Sequence, residues 1–392
     1  MRPGILIQHA RNPAPPPGFV RSDIAGFIGV LGPGGWPDGA RAGDFVDIPL
    51  TSLQELLEHP QYTSFDAASI EAARQFFENG GAQCRLLGAC VRSPTHILEP
   101  NPVDNPLGPL IEHLKGEESL GILAMPILAY LRYIVDDRGR VRAQSTPLLR
   151  GLLNHCRDVG HRFLIIDPPR DLHDRPLRRW ASMLRDRTDL SGAYGALYYP
   201  WIVNRETHAP PSGAIAGILA RSELTNNPYG VRWPPANAPV LGITHPAVAL
   251  RWSDIEPLVD THINPILVQP GRGTVVWGAR TLSRDPKWRY INARRIVSAI
   301  AEQLRRDAEW LVFERQRPEL WQLVERTVRV RLDEVWSGGM LTESDDGLQY
   351  LVRCDDELNP PEVRDAGQVH AQVRLRPVGT TEQIIVDLRL GQ

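Results

Sequence analysis

RFLIID (residues 162–167), a stretch of helical period near 175–187, and then AYGALYYPWIV (193–203) form the unit that decides the fold. The two apolar runs do not alternate with polar residues, so a strand made from either buries both of its faces. Towards the N-terminus, CRLLGACV (84–91) and GILAMP (121–126) have the same character, and helical stretches lie near 107–115 and 145–158. Continuous apolar strands separated by helices mark a parallel sheet covered on both sides. Right-handed crossovers then predict a doubly wound α/β domain.

The flanking segments extend this pattern. FVRSDIAGFIGVLGPGG (19–35) reads as a further buried strand ending in a Gly/Pro turn. Helices are expected at 51–58 and 66–79, the second capped by Asp66, with Ile70, Ala73, Phe76 and Phe77 on one face and Gly80-Gly81 as its stop. Another helix starts at Pro211-Ser212 and runs to about Ser222, before an Asn- and Pro-rich stretch at 224–240.

After about residue 270 the pattern changes. Ile296, Val297, Ile300, Leu304, Ala308, Leu311 and Val312 keep a helical period, as do Leu320, Trp321, Val324, Val328, Leu332, Val335 and Trp336. LQYLVRCD (348–355), VHAQVRLRP (369–377) and EQIIVDLRL (382–390) alternate as strands do. The expected division is an arm and linker at 1–18, an α/β domain at 19–269, a smaller α+β domain at 270–381 and a strand arm at 382–392. At the N-terminus, Ile5 to Ile7 form a short strand-like run ahead of Pro13, Pro15, Pro16, Pro17 and Gly18, which cannot be helix. That end is either a frayed terminus or an arm that pairs with another chain.

The 392 residues are 42% hydrophobic and 23% charged with a net charge of −2, which excludes nothing but a strongly basic nucleic-acid binder. Cys84, Cys90, Cys156 and Cys354 make no Cys-x-x-Cys pair, so small buried thiols in a reducing cytoplasm are expected rather than a disulfide or zinc framework. The first residues hold no apolar run of signal-peptide length, and no stretch reaches the roughly 18 apolar residues of a membrane helix, so cytoplasmic assembly without membrane insertion is expected.

Catalytic patterns fail one after another. Asp167 ends a predicted central strand, where open α/β sheets place ligands, but Pro168-Pro169 follow it instead of a glycine-rich phosphate loop. Gly32, Gly34 and Gly35 do not make GxGxxG, and Walker, GxSxG and HExxH motifs are absent from the sequence. Asp136-Asp137 and Asp345-Asp346-Gly347 are turn chemistry rather than calcium loops. No catalytic, cofactor or metal residue is assigned.

One charge feature remains. Residues 280–332 hold twelve Arg and one Lys against seven acidic residues, a net of +6, whereas 333–392 carry a net of −7. Such segments attract each other across subunits, attract a charged partner, or neutralise each other within one domain. Nucleic acid is disfavoured because no aromatic residues interleave with the basic ones in single-strand-binding fashion.

The string PGRGTVVWGARTLSRDPKWRYINARRIVSAI (270–300) resembles a signature of contractile-tail sheath proteins. It carries a Gly271-Arg272-Gly273 turn, a Trp277-Gly278-Ala279-Arg280-Thr281-Leu282 strand, and Trp288-Arg289-Tyr290-Ile291-Asn292 leading a helix. AGFIGVLGPG (25–34), FFENGGAQCRLL (76–87), PPSGAIAGILAR (210–221), GVRWPPAN (230–237), EWLVFE (309–314), LWQLVERTV (320–328), LDEVWSGGML (332–341), VRCDDELN (352–359) and the closing EQIIVDLRL are similar to further family elements in the same order. The match is weakest over about 92–160.

The resemblance implies an outer domain of subtilisin-like α/β fold without protease function, and a smaller C-terminal domain facing an inner tube. It also implies terminal arms that add strands to sheets of neighbouring subunits, here Gly4, Ile5, Leu6, Ile7 and Gln8, and Ile384, Ile385, Val386, Asp387 and Leu388. An edge strand with unpaired backbone groups accepts such a donor through a hydrogen-bond ladder. The implied partners are further copies in a helical sheath of stacked rings, the tube protein, the baseplate and other sheath paralogues, within a phage tail or tail-like particle. Arg326, Arg329 and Arg331 are the candidates for facing an acidic tube. The alternatives are an accessory or baseplate-proximal paralogue of the same machine, or an α/β hydrolase-like enzyme.

Overall fold

The computed structural model describes residues 19–60, 64–92, 107–204, 206–226, 229–311, 318–380 and 382. Gly4–Gln8 and Ile384–Leu388 lie outside the described residues.

Eight strands form one sheet: β1 (Ala25–Leu31), β2 (Phe45–Leu50), β3 (Cys84–Cys90), β4 (Ile122–Ala124), β5 (Phe163–Ile166), β6 (Gly195–Tyr199), β7 (Ile263–Gln269) and β8 (Gly273–Val276). Their order is β8-β7-β6-β5-β4-β1-β3-β2. The run from β7 to β3 is parallel throughout, while β8 and β2 close the two edges antiparallel. The longer helices are α1 (Ala67–Glu78), α2 (Leu107–Gly116), α3 (Ser145–Val159), α4 (Asp174–Asp186), α5 (Ser212–Thr225), α6 (Trp252–Asp260), α7 (Ile291–Ala308) and α8 (Pro318–Ser337).

The strands inside the sheet are mostly apolar because each side of the sheet has its own core. Ile28, Val30, Leu87, Leu123, Leu164 and Leu197 pack against α2, α3 and α4. Ala25, Phe27, Leu86, Ile122, Phe163 and Ala196 point the other way, against α1 and α5. Asp66 joins the layers: its carboxylate caps α1 by accepting from Ser69 N–H at 2.9 Å and from Val30 N–H of β1 at 2.8 Å. Helices α1 and α5 approach so closely that a Cβ added at Gly213 would lie 2.2 Å from the Ala72 carbonyl oxygen, and one at Gly217 would lie 2.4 Å from that of Phe76. The mixed α/β architecture with a large, mainly parallel sheet matches the expectation from the apolar runs.

A third core lies beyond the sheet. Ile296 and Ile300 of α7, Leu332 and Val335 of α8, and Met340, Leu341 and Val352 enclose it, with Phe19 and Val231 contributed from elsewhere in the chain. The two-stranded sheet β9 (Tyr350–Arg353) and β10 (Gln372–Leu375) packs here.

Three expectations need correction. The run 193–203 is two strands: β6 stops at Tyr199, and Ile202–Asn204 pairs in a separate small sheet, because Pro200 interrupts the ladder. The family strand at Trp277–Leu282 is not a strand here. The ladder runs over Gly273–Val276, and Arg280 makes an isolated bridge to Tyr290. The 269/270 division falls in the turn of the β7–β8 hairpin, so β8 completes the sheet of the preceding domain.

Candidate functional site at the chain-end roots

With no catalytic pattern in the sequence, the informative site is where the chain enters and leaves the described fold. Both places converge on α7. This helix is amphipathic, starts after the extended Tyr290, and places Arg305 and Arg306 in its last turn, where cations favour the helix dipole.

The N-terminal root is held at four points. Phe19 packs into the third core, edge-on to Tyr229 with ring centroids 5.9 Å apart. Val20 N–H donates to Gln303 Oε1 at 2.7 Å. Ser22 donates its N–H to Glu223 Oε1 at 2.6 Å and its hydroxyl to Oε2 at 2.8 Å. Arg295 completes the cluster, donating to Glu223 Oε2 at 2.9 Å and to the Ser22 carbonyl at 3.1 Å. Glu223 and Arg295 are 6% and 4% exposed, so this ion pair is shielded from water. Burial pushes the Glu223 carboxyl above its ordinary range, against the opposing field of Arg295.

The C-terminal root is held by the other end of α7 and by the signature string. Asn292 donates to the carbonyls of Val378 at 3.0 Å and Arg232 at 3.2 Å, and its Oδ1 accepts from Thr380 Oγ1 at 2.8 Å. Arg280 grips Glu382 with two parallel hydrogen bonds, from Nε at 2.7 Å and from Nη2 at 2.5 Å, and also reaches the Val259 carbonyl. A bidentate guanidinium–carboxylate pair is a directional clamp.

The remaining signature residues support these clamps. Gly271 and Gly273, both at φ +75°, shape the hairpin turn, and Arg272 ties it to the Asn237 carbonyl. Gly278 leaves room for Asn264, whose Oδ1 would lie 2.6 Å from an added Cβ and which accepts from Arg280 N–H. Trp288 stacks on the buried Arg294 guanidinium at 4.2 Å, and Tyr290 starts α7. Trp277 meets Trp252 edge-on.

The basic segment is largely neutralised within the chain. Arg284 pairs with Asp186, Arg305 with Glu302, Glu118 and Glu309, and Arg306 with Glu302. Arg331 is corrected as a surface candidate: it is 5% exposed and bound to Asp307 and Glu334. Arg329 is exposed and paired with Glu325, and Arg326 is exposed. The Glu223–Arg295–Ser22 cluster was missed from sequence because its members lie far apart in the chain and no motif connects them.

Two family models match consecutive parts of the chain: the phage tail sheath protein central domain over residues 157–282, and the phage tail sheath C-terminal domain over 283–391. The chain belongs to the phage tail sheath family. The tail sheath protein of Vibrio phage KVP40 is 23% identical over 175 residues, 44% of this chain and 25% of that protein. A prophage major tail sheath protein of Pseudomonas aeruginosa is 23% identical over 183 residues, 46% of this chain and 45% of that one. The chain thus spans less than half the length of these curated relatives. The fold is similar to that of the anti-feeding prophage helical sheath solved in its contracted state, with TM-score 0.72 and 23% identity over 99% of this chain and 98% of that one.

Sheath-family proteins are structural proteins and not enzymes, and the residue placed best for catalysis has a structural use. Asp167, at the end of β5, accepts from the N–H of Ser212, the first residue of α5, at 3.0 Å. Among the described residues no group of His, Cys, Asp or Glu could hold a metal ion, and all four cysteines are buried and free. Nor is any described helix long and apolar enough to cross a membrane.

Burial pushes the Asp167 carboxyl up to about 7, outweighing its bonds to Ser212. The native state therefore keeps this proton between about pH 4 and 7, where the unfolded chain has lost it. The stability it contributes is complete below about pH 4 and is lost as pH rises through about 7. His155 has the opposite sign: burial and the adjacent Arg162 hold it at about 4, so its contribution is present above about pH 6.5 and is lost as pH falls towards 4. Asp167→Asn keeps an acceptor for Ser212 and removes the first effect. The variant is expected to gain about 2–3 kcal/mol on the wild type between about pH 5 and pH 8, read from urea unfolding midpoints across that range. An unchanged difference would show that the carboxyl titrates normally.

Proposed function

We propose that this chain is the structural sheath subunit of a contractile tail or tail-like injection machine. It polymerises as a helical sheath around an inner tube and contracts to drive that tube through a target envelope. The observation that carries this reading is the match to both sheath domains in consecutive order, with the fold likeness to a contracted sheath extending over nearly the whole chain. In this reading the particle assembles in the cytoplasm, with the tube protein and baseplate as partners.

The finer assignments belong to the same proposal. The α/β part is the outer, subtilisin-like domain, and α7, α8, β9 and β10 belong to the inner one. Gly4–Gln8 and Ile384–Leu388 are strands donated to neighbours. Two features support the arms: the chain is anchored from Phe19 on, just past the proline linker that follows the first, and immediately before the second, and both anchors engage α7 or its signature lead-in. A donated strand transmits force only if its root is fixed. Arg326 and Arg329 are the remaining tube-facing candidates.

Deleting residues 1–12 tests the proposal, because Phe19, Val20 and Ser22 stay in place. The truncated chain is expected to keep the unfolding midpoint of the full chain. Co-expressed with its tube protein, it is expected to give no cylinders by negative-stain microscopy where the full chain does. Cylinders of normal length from the truncated chain would refute the N-terminal arm, and no cylinders from the full chain would refute the sheath reading itself.

A further inference from the structure

Helix α4 lays a row of guanidinium groups along its outer face. Leu177, Trp180, Ala181 and Leu184 are buried in the core, which leaves Arg175, Arg178, Arg179 and Ser182 on the remaining face at helical spacing. A groove of about 740 Å³ runs beside them and is lined also by Arg140, Arg187 and Met183. The carboxylates at hand are already engaged: Asp186 pairs with Arg185 and Arg284, and Asp136 with Arg140. Arg179 donates to the Arg138 carbonyl, and Arg175 and Arg178 make no ion pair among the described residues. The segments outside the described residues carry four carboxylates in all, Glu99, Asp104, Glu314 and Asp387, so they hold no acidic run to cover the groove.

The opposite charge stands elsewhere in the chain. Of the acidic surplus at 333–392, only Glu334 and Glu382 pair with the basic segment 280–332 among the described residues. Asp355 to Glu357 and a short helix, Pro361–Asp365, gather five carboxylates against the single cation Arg364. Arg353 holds Asp355 and Glu357, which leaves Asp356, Glu362 and Asp365 exposed and without an ion pair among the described residues. Asn359 fixes the loop between them, donating to the carbonyls of Asp355 at 2.8 Å and His370 at 3.0 Å. These carboxylates are therefore presented on a braced surface.

We propose that the Arg175/Arg178 groove of one copy receives the Asp356/Glu362/Asp365 surface of a second copy. Charge complementarity points to this occupant: both surfaces belong to the described residues, both keep unpaired charges, and they share no ion pair within the chain. Guanidinium groups suit the task, because each can hold a carboxylate through two parallel hydrogen bonds. Two different complementary surfaces on one chain also make a head-to-tail contact. Such a contact repeats into a ring or an open helix, whereas a self-complementary patch stops at a dimer. The proposal rests on the sheath reading for its polymer and adds a contact between copies that does not use the terminal arms.

The test uses two full-length chains, one carrying Ser182→Cys in the groove and the other Ala366→Cys beside Asp365; the four native cysteines are buried. The chains are mixed, both free at about 100 μM and in cylinders formed with the tube protein, and treated with a short bismaleimide linker. The two different chains are expected to be joined, with about tenfold less product from either chain alone. Arg175→Glu with Arg178→Glu in the first chain is expected to lower the yield about tenfold, as is Asp356→Lys with Glu362→Lys in the second. Combining both reversals is expected to restore it, which misfolded variants could not do. About 1 M salt is expected to weaken the product of the free mixture. No joined product in either setting, or a yield untouched by both reversals, overturns the proposal. So does a groove reversal that releases the tube protein while the joined product persists, since the groove would then face the tube. Because the free mixture reads the contact by itself, failure here is distinct from failure to form cylinders.

Discussion

Replacing Arg295 with alanine is expected to destabilise the protein by about 3–5 kcal/mol, the usual cost of removing one partner from a buried ion pair. Most of that cost falls on what remains. Glu223 is 6% exposed and already raised by burial, so without Arg295 it has to take up a proton or leave the interior. Ser22 keeps its two bonds to Glu223 but loses the donor to its carbonyl. Urea unfolding measures the loss. Limited proteolysis adds a readout specific to the site, because cleavage near residues 19–24 is expected to appear before cleavage elsewhere. The double variant Glu223→Gln with Arg295→Met is expected to recover most of the stability, since it removes both charges together. A loss below about 1 kcal/mol for Arg295→Ala would mean that the pair contributes no more than a surface one.

Gly213→Val is expected to abolish folding into the native α/β layer. Valine requires a Cβ where the Ala72 carbonyl oxygen lies 2.2 Å away and its Cα 2.5 Å away, and backbone atoms of a packed helix cannot swing aside. Overpacking a core typically costs about 1–3 kcal/mol when side chains can adjust. Here α1 would have to separate from α5, which also displaces the contact at Gly217. Expression in soluble form and the thermal midpoint measure the effect, with Gly213→Ala intermediate. Gly151 is the control: it sits inside α3, exposed, with no atom within 4 Å of an added Cβ. Gly151→Ala is expected to stabilise by about 0.5–1 kcal/mol through the helix alone. If Gly213→Ala behaved like Gly151→Ala, the close approach of α1 and α5 would be wrong.

These two sites also show what a reader of the sequence can and cannot see. SGAIAGILA (212–220) displays its small residues four apart, and the apolar runs of β1, β3, β4 and β5 are legible because burial on both faces leaves Arg85 of β3 as their one charged position. Strand β2, FVDIPL, escaped because Asp47 and Pro49 break the run, yet both fit an edge: Asp47 pairs with Arg85, and Pro49 needs no ladder partner on its outer side. Helix α6 escaped because Pro257 lies inside it and nine residues carry too little period. The signature string was visible as a pattern, but its use as a clamp was not. Arg280 meets Glu382 across 102 positions, and Ser22 meets Arg295 across 273, so only the folded chain brings them together. The surplus of arginine at 280–332 was visible too. Its neutralisation depends on partners such as Asp186, Glu118 and Glu223 that lie outside that segment.

The meeting of both chain ends at α7 has a mechanical consequence. Tension applied at Val20 enters the helix at Gln303, and tension applied at Thr380 enters it at Asn292, so one load path between the ends is a stretch of α7 about 16 Å long. Hydrogen bonds along a helix axis resist such stretching together, and the third core braces that rod from the side through Ile296 and Ile300. The same pull also reaches β1 through the few residues from Val20 to Ala25, and α5 through Ser22 and Glu223, so the sheet shares the load at an interior strand. A pull on both ends is thus divided between a single helix and the sheet behind it, not carried by either alone.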